Sequence, residues 1–139
     1  MTNRETKYQA ALYLRGKDLD PAYVSSILGV DPTSSQHRGE QHLTSTKKEF
    51  VTKIGIWALI EESDSVNVSG FVEEIDSKLG AFGSSLSKID GVEEAYIDVF
   101  VAMSGDRGGA TCELDFSSEN VKVLNRFGLP IRVTVTFTC

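Results

Sequence analysis

The side chains best suited to chemistry in this sequence lie close together at His37, Arg38, Glu40 and His42. Two imidazoles and a carboxylate are ligands that zinc accepts. On one continuous strand, however, His37 would face away from Glu40 and His42, because successive side chains alternate between the two faces. The spacing therefore predicts no metal site and no cofactor. Two interpretations remain: a solvated loop with incidental histidines, or a site in which Arg38, beside the Gly39 amide, binds an anion or a carboxylate.

Two other segments have reactive residue types in the wrong surroundings. The glycine-rich segment 104–109 precedes a strand pattern and lacks the lysine of a phosphate-binding loop, so it predicts a hairpin turn. Its Asp106 and Arg107 could contact a partner. Cys112 alternates with polar residues, as a small core hydrophobe does, and both histidines are distant in sequence.

A last candidate for acid–base chemistry is the carboxylate run Glu61, Glu62 and Asp64, which follows the most apolar stretch of the chain. Such a run more often marks a solvated strand end, and no general-acid partner can be assigned to it. We therefore predict no catalytic residue and expect that the protein is not an enzyme.

The elements that position these residues are clearest in the segment 10–32. Alternation over residues 10–15 predicts a strand. Asp20 is suited to cap the helix that follows, and Gly29 to end it in the left-handed conformation. A similar order recurs over residues 111–133: a strand pattern, a cap at Ser117 or Ser118, an apolar stripe, then Gly128 and Pro130. An ancient duplication and the shared physics of helix ends both explain this repeat.

The middle of the chain combines a polar segment with two strongly apolar ones. Within residues 31–53, the sequence predicts one strand over 36–43 and a second, short strand over 49–51. Residues 54–60 are apolar on both faces, which predicts a central strand covered on both sides. Residues 66–82 have helical periodicity, with Asn67 or Ser69 as the N-cap.

Strand patterns dominate the rest of the sequence. Residues 95–102 and 111–116 are predicted to pair as an antiparallel hairpin around the turn at 104–109. The final strand alternates strictly. One face of that strand is expected to be buried, and it consists of Ile131, Val133, Val135 and Phe137.

Together these patterns predict an α+β domain with a mainly antiparallel sheet of five or six strands and about three helices. The predicted order is β-α-β-β-α-β-β-α-β, with the helices on one face of the sheet. The other face would carry four aromatic residues: Tyr13, Trp57, Tyr96 and Phe100. They form a surface for a partner protein or a second copy, unless residues 31–53 fold over it. Trp57 itself is either a core residue or a binding anchor.

Length and charge restrict the function further. A chain of 139 residues fits a single domain, residues 1–139. The net charge is −6, and Lys47–Lys48 is the nearest approach to a basic cluster, so nucleic acid is not an expected partner. No apolar run approaches the length of a membrane span, and the first residues are polar, which predicts a cytoplasmic protein without a membrane partner. Cys112 and Cys139 are expected to be free thiols.

The sequence resembles a family of small bacterial domains of unknown function, number forty-two seventy-nine. The resemblance lies in DLDPAYVSSILGVDP at residues 18–32, in the basic-glycine-acidic step at residues 38–40 and in the Trp-Ala-Leu of a strand that begins with Trp57. An amphipathic helix and a closing strand-helix-strand with a Leu-Pro turn complete it over nearly the whole chain. It implies an α+β fold and a role in binding proteins, including toxin neutralisation, but no catalytic mechanism.

The expected function is therefore a non-catalytic protein-binding module, with an immunity-type toxin inhibitor as its specific form. A net negative charge suits a basic partner such as a nuclease toxin, because complementary charge speeds encounter. The alternative is a small-molecule- or metal-binding protein, or a small enzyme, that uses His37, Arg38 and His42. A homodimer that buries the sheet face is a third possibility.

Overall fold

The computed structural model describes residues 5–39, 41–43, 49–51, 53–105 and 111–138. Within these residues, five strands form one sheet in the order β2-β5-β1-β6-β7. Their bounds are β1 Glu5–Gly16, β2 Ser34–Gln36, β5 Gly55–Ser63, β6 Glu94–Ser104 and β7 Ile131–Thr138. A separate two-stranded sheet contains β3 Gln41–Leu43 and β4 Glu49–Val51. The helices are α1 Pro21–Leu28, α2 Val68–Leu79 and α3 Ser118–Phe127, with a 3-10 helix at Gly83–Lys88.

The main sheet is mostly antiparallel, which confirms the predicted α+β class. β1 pairs antiparallel with β5 and β6, β2 pairs antiparallel with β5, and β7 runs parallel to β6. The central strand is β1. The apolar segment 54–60, predicted to be central, instead forms β5 one position from the edge, where only the three residues of β2 flank it.

The core lies between one face of this sheet and the helices. Leu12 and Leu14 of β1 and alternate residues of β5 and β6 form a buried cluster with the apolar stripes of the helices. The cluster includes Val24 of α1, Ile75 of α2 and Phe127 of α3. All helices therefore cover the same face, as the apolar stripes predicted.

The predicted helix ends are confirmed by their caps. Asp20 Oδ1 accepts a hydrogen bond from the Ala22 amide at 3.0 Å, and Asn67 caps α2 in the same way through the Gly70 amide. Ser117 caps α3 in a reciprocal pair with Asn120. Gly29 and Gly128 end their helices at φ of 68° and 67°. Among the described residues, none of the helices is long and apolar enough to cross a bilayer.

The predicted hairpin between residues 95–102 and 111–116 is wrong. Residues 111–117 form no strand, because both edges of β6 are already paired, with β1 on one side and β7 on the other. Alternation in this segment still has a structural cause: Cys112, Leu114 and Phe116 pack against the core from outside the sheet. The proposed repeat of 10–32 in 111–133 thus keeps its helix, cap and stop and lacks its first strand.

A second difference lies at residues 36–43, predicted to contain a strand. β2 ends at Gln36, a turn follows at Arg38 and Gly39, and β3 starts at Gln41. Asp106, Arg107 and Cys139 lie outside the described residues. Cys112 is a free thiol and partly buried.

The predicted burial of β7 is also wrong. Ile131, Val133 and Val135 are exposed by 36%, 44% and 48%. They project on the helix-covered side, but β7 is an edge strand, and α3 packs against α2 and the 3-10 helix and leaves β7 largely uncovered.

Candidate functional site

The face of the sheet opposite the core carries the aromatic residues that the sequence singled out, with one exception. The strand register places Tyr13 directly opposite Tyr96, and Phe100 opposite both Gln9 and Thr134. Apart from Pro21 and Asn120, the buried residues of the described helices belong to the core cluster on the other side of the sheet. We call this surface the open sheet face, and it comprises Gln9, Tyr13, Arg15, Tyr96, Asp98, Phe100, Arg132 and Thr134.

Tyr96 is the centre of the open sheet face. Its ring lies 5.4 Å from the Tyr13 ring, centroid to centroid, and the two planes are tilted by 35°. The Arg132 guanidinium lies over the same ring, 4.7 Å from its centroid, a cation–π geometry. Arg15 Nη1 donates a 3.3 Å hydrogen bond to the Tyr96 hydroxyl and lies 3.8 Å from a Glu94 carboxylate oxygen. Tyr96 is thereby held on three sides and buried to 8% exposure.

The two other aromatic residues are more accessible. Phe100 is 37% exposed, and Tyr13 is partly buried. Gln9 Nε2 donates a long hydrogen bond, 3.5 Å, to the Tyr13 hydroxyl. Burial raises the pKa of Tyr13, and the charge of Asp98 raises it further, so its phenol stays protonated at neutral pH and remains a donor. The face therefore offers aromatic area, two guanidinium groups and a phenol in fixed positions.

Trp57 is not on the open sheet face, so that prediction is wrong. Its side chain is fully buried at 0% exposure. The register pairs Trp57 with Leu14, whose side chain points into the core, and Tyr13 with Ala58. The indole Nε1 donates a hydrogen bond of 3.0 Å to Ser25 Oγ on α1. Trp57 therefore anchors α1 to the sheet, as the core interpretation predicted.

The His37–Arg38–Gly39 segment forms a separate surface feature. Arg38 Nη1 donates a 3.0 Å hydrogen bond to Asp18, and His37 Nδ1 lies 3.9 Å from Asp20 Oδ1, so both contact the loop before α1. The Arg38 and Asp18 side chains are at least half exposed, and such pairs contribute little stability. Arg38 thus binds a carboxylate of its own chain.

The metal interpretation needs two side chains that the structure does not describe. Glu40 and the side chain of His42 both lie outside the described residues. Among the side chains that are described, no three His, Cys, Asp or Glu groups lie together as metal ligands would.

A carboxylate cluster that the sequence did not predict lies at the opposite end of β5. Glu61 extends from the core face of β5 toward α2, where its carboxyl meets that of Glu74, and Lys78 Nζ lies 2.9 Å from Glu74. Burial raises the pKa of Glu61, and Glu74 raises it further; the hydrogen bond from Lys78 lowers that of Glu74. The nearby Tyr8 hydroxyl is buried and has no hydrogen-bond partner among the described residues. Burial, and then the charge of Glu61, raises the pKa of Tyr8 to about 12.

The two carboxyls of this cluster can share one proton. When both are ionised, neither carboxylate can donate to the other, and within the described part of the chain Glu61 Oε2 is buried without a hydrogen-bond partner. Protonation of Glu61 supplies a donor toward Glu74, which Lys78 keeps ionised. Sequence analysis considered Glu61 together with Glu62 and Asp64, because the three are close in the chain. In the fold, Glu61 instead interacts with Glu74 of α2.

Replacement of Glu61 by glutamine is expected to raise the melting temperature at pH 7 to 8. Glu61 has a raised pKa in the folded state, so folding favours its neutral form, and this contribution is lost as pH rises through the folded-state pKa. Glutamine keeps a donor toward Glu74 at every pH. The gain should therefore shrink as pH falls toward the ordinary carboxyl range. Thermal melts of the wild type, Glu61→Gln and the exposed neighbour Glu62→Gln across this range measure it; an equal gain at all pH values would contradict the prediction.

Comparison with protein families agrees with the resemblance found in the sequence. The family model described as Domain of unknown function (DUF4279) matches residues 5–138. The chain belongs to the DUF4279 family. Neither the curated proteins nor the solved structures include a match to this DUF4279 chain.

In this DUF4279 domain the fold brings together part of the predicted site. Tyr13, Tyr96 and Phe100 share the open sheet face; Trp57 lies in the core, and His37, Arg38 and Gly39 lie near the loop before α1. Arg15 and Arg132 of this face were not among the predicted site residues. Alternation in the last strand does place Arg132 on its polar face, but only the β6–β7 register shows that it reaches Tyr96.

Proposed function

We propose that this DUF4279 domain is a non-catalytic protein-binding module that acts through the open sheet face. The observation that carries the proposal is Tyr96 fixed between Tyr13 and Arg132, on the side of the sheet away from the helices. Tyrosine, phenylalanine and arginine are enriched in interfaces, and tyrosine and arginine dominate their binding energy. Side chains already held in place lose little conformational entropy on binding.

The specific form of this proposal is an immunity-type inhibitor of a basic toxin in the cytoplasm. The net charge of −6 supports it, because long-range attraction raises the encounter rate with a basic protein. The open sheet face itself carries charges of both signs, Arg15 and Arg132 with Asp98. Charge would therefore steer the encounter, and the aromatic residues would hold the complex.

Mutation of the open sheet face is expected to release a partner without unfolding the domain. Phe100 is exposed, and Arg132 lies at the surface of the sheet, so Phe100→Ala and Arg132→Ala should each weaken binding about tenfold or more, as at interface hot spots. The matched control is Tyr23→Ala, which removes an exposed aromatic side chain from α1 on the helix side. Tagged variants are compared with the wild type by affinity purification from the native host and mass spectrometry, after circular dichroism has confirmed folding.

Three outcomes of that experiment differ in meaning. A stoichiometric protein lost with Phe100→Ala and Arg132→Ala but kept with Tyr23→Ala supports the proposal. A partner kept by both face variants overturns the assignment to this face. A bound metal or small molecule without any protein partner would favour the ligand-binding alternative at His37, Arg38 and His42.

A further inference from the structure

Among the residues that the structure describes, no strand pairs with the outer edge of β7. The Pro130 carbonyl accepts from the Ile97 amide at 2.9 Å, and the Thr138 carbonyl accepts from the Gly105 amide at 3.1 Å. Even-numbered residues of β7 therefore turn their N–H and C=O groups toward β6. The odd-numbered residues turn theirs to the other side, where no described strand pairs with them. These residues are Ile131, Val133, Val135 and Phe137.

The same edge is apolar and unprotected. Natural edge strands are usually short, charged, bulged or interrupted by proline, which prevents pairing with another chain. β7 has eight residues, no proline within it and one charged side chain, Arg132. Beside it, a groove of about 660 Å³ runs between β7 and α3, where Val121 is 54% exposed. An extended strand paired with β7 would form hydrogen bonds with the outward N–H and C=O groups of β7 and would also cover this apolar surface.

We propose that β7 pairs antiparallel with β7 of a second copy, so that the two main sheets join across a two-fold axis. Outward-facing residues must form the hydrogen-bonded pairs of an antiparallel ladder. The register that pairs the whole strand places the axis at Thr134. Val133 then lies opposite the partner's Val135, and Ile131 opposite the partner's Phe137. Arg132 and Thr134 of β7 also belong to the open sheet face, but the inference concerns the outward backbone edge of β7 and its odd-numbered residues, so it goes beyond the proposed function.

Charge and side-chain shape identify the second copy as the occupant. In this register Arg132 faces the partner's Thr136 and Thr134 faces the partner's Thr134, so no like charges meet, although each chain carries −6. Cross-strand pairs of β-branched residues stabilise sheets. A two-fold interface requires a surface that is complementary to itself, and this strand meets that condition.

Charges on the neighbouring helix do not oppose this contact. Lys122 of α3 pairs with Glu119 at 3.2 Å, and Arg126 pairs with Asp76 of α2. Each of these side chains has an oppositely charged partner in its own chain. A strongly charged strand, of either sign, would not meet a row of oppositely charged side chains along β7, because Arg132 is its one charged residue.

A disulfide at the axis tests the register. In a Cys112→Ser, Cys139→Ser background, Thr134→Cys places two cysteines in a non-hydrogen-bonded pair with Cα atoms about 4.5 Å apart, close enough for a disulfide. The control Thr136→Cys places its two cysteines about 13 Å apart, since four residues separate them along the strand. Mild oxidation followed by non-reducing electrophoresis should give a covalent dimer with Thr134→Cys and none with Thr136→Cys.

The oligomeric state gives an independent readout. Sedimentation over about a hundredfold concentration range should show the wild type moving from the 15.2 kDa monomer toward twice that mass. Val133→Lys should weaken the dimer about tenfold or more, because each lysine lies beside the new interface and the residue is exposed enough for the monomer to fold. Ile27→Lys, at an exposed position on α1, should leave the dimer unchanged.

The proposal is overturned if the wild type remains monomeric throughout, or if Thr134→Cys and Thr136→Cys cross-link equally. It is also overturned if Val133→Lys and Ile27→Lys affect the mass alike. Failure here leaves the proposed function intact, since Phe100 lies on β6, outside the proposed dimer edge, and capture of a partner that is lost with Phe100→Ala tests that function separately. Conversely, a Phe100→Ala protein that loses its captured partner but still dimerises would show that the partner-binding face and the dimer edge act independently.

Discussion

Replacement of Trp57 by alanine is expected to lower the free energy of unfolding by about 3–5 kcal/mol, the range measured for large aromatic residues in cores. The side chain is fully buried between β5 and α1, opposite Leu14. Removal of the indole leaves a cavity and removes the hydrogen bond to Ser25 that ties α1 to the sheet. Denaturant unfolding followed by circular dichroism measures the loss.

Two variants separate the causes of this loss. Trp57→Phe keeps most of the packing and should cost less than half as much as alanine. Ser25→Ala leaves the indole N–H without its acceptor and should cost about 1–3 kcal/mol. A Trp57→Ala protein as stable as the wild type would place the indole at the surface and return it to the binding interpretation. If Trp57→Ala loses a partner, the folded fraction must be measured before the loss is assigned to an interface.

Local sequence features predicted the local structure of this domain well. Asp20, Asn67 and Ser117 each accept a backbone hydrogen bond at the start of a helix, as predicted from residue type and position. Gly29 and Gly128 end two of the helices in the left-handed conformation. These interactions span a few residues, so the sequence that contains them also contains most of their physics.

Strand pairing was predicted less well. Alternation of apolar and polar residues indicates which side chains are buried, but it does not indicate which strand lies alongside. Residues 111–116 alternate since Cys112, Leu114 and Phe116 touch the core, yet they lie outside the sheet. Residues 131–137 alternate as a buried strand would, yet Val133 and Val135 are exposed at its edge. The missing information was the strand order: β1 and β7 occupy the two sides of β6, and β7 is the last described strand of the sheet.

The candidate site was predicted only in part, again because the strand pairing was not known from the sequence. Tyr13, Tyr96 and Phe100 share a face because β1 and β6 pair directly, and the alternation within each strand was clear. Trp57 was assigned to the wrong face. A shift of one residue in register moves every side chain of a strand to the other face, and the sequence of β5 is apolar on both. The pairing of Trp57 with Leu14 determines its side.

Replacement of Gly16 or Gly55 by alanine is expected to lower the free energy of unfolding by more than about 3 kcal/mol, at the upper end of overpacking effects. The two glycines are cross-strand partners at the end of the β1–β5 ladder. A Cβ atom at Gly16 would overlap the carbonyl oxygen of Gly91, and one at Gly55 would overlap that of Leu19. Backbone atoms cannot rotate away as a side chain can, so the loops that cross this end of the sheet would have to move.

The matched control is Gly29→Ala, where a Cβ atom meets nothing within 4 Å and only the positive φ of 68° opposes it. That substitution should cost about 1–2 kcal/mol, the penalty for a left-handed residue with a side chain. Denaturant unfolding of the three variants measures the difference. Equal losses at Gly29 and Gly55 would mean that the Leu19 backbone yields easily. A larger loss at Gly16 and Gly55 would show that close contact between backbones holds two loops against this end of the sheet. Gly16 contacts the loop before β6 at Gly91, and Gly55 contacts the loop before α1 at Leu19, which is also the loop that Arg38 contacts through Asp18.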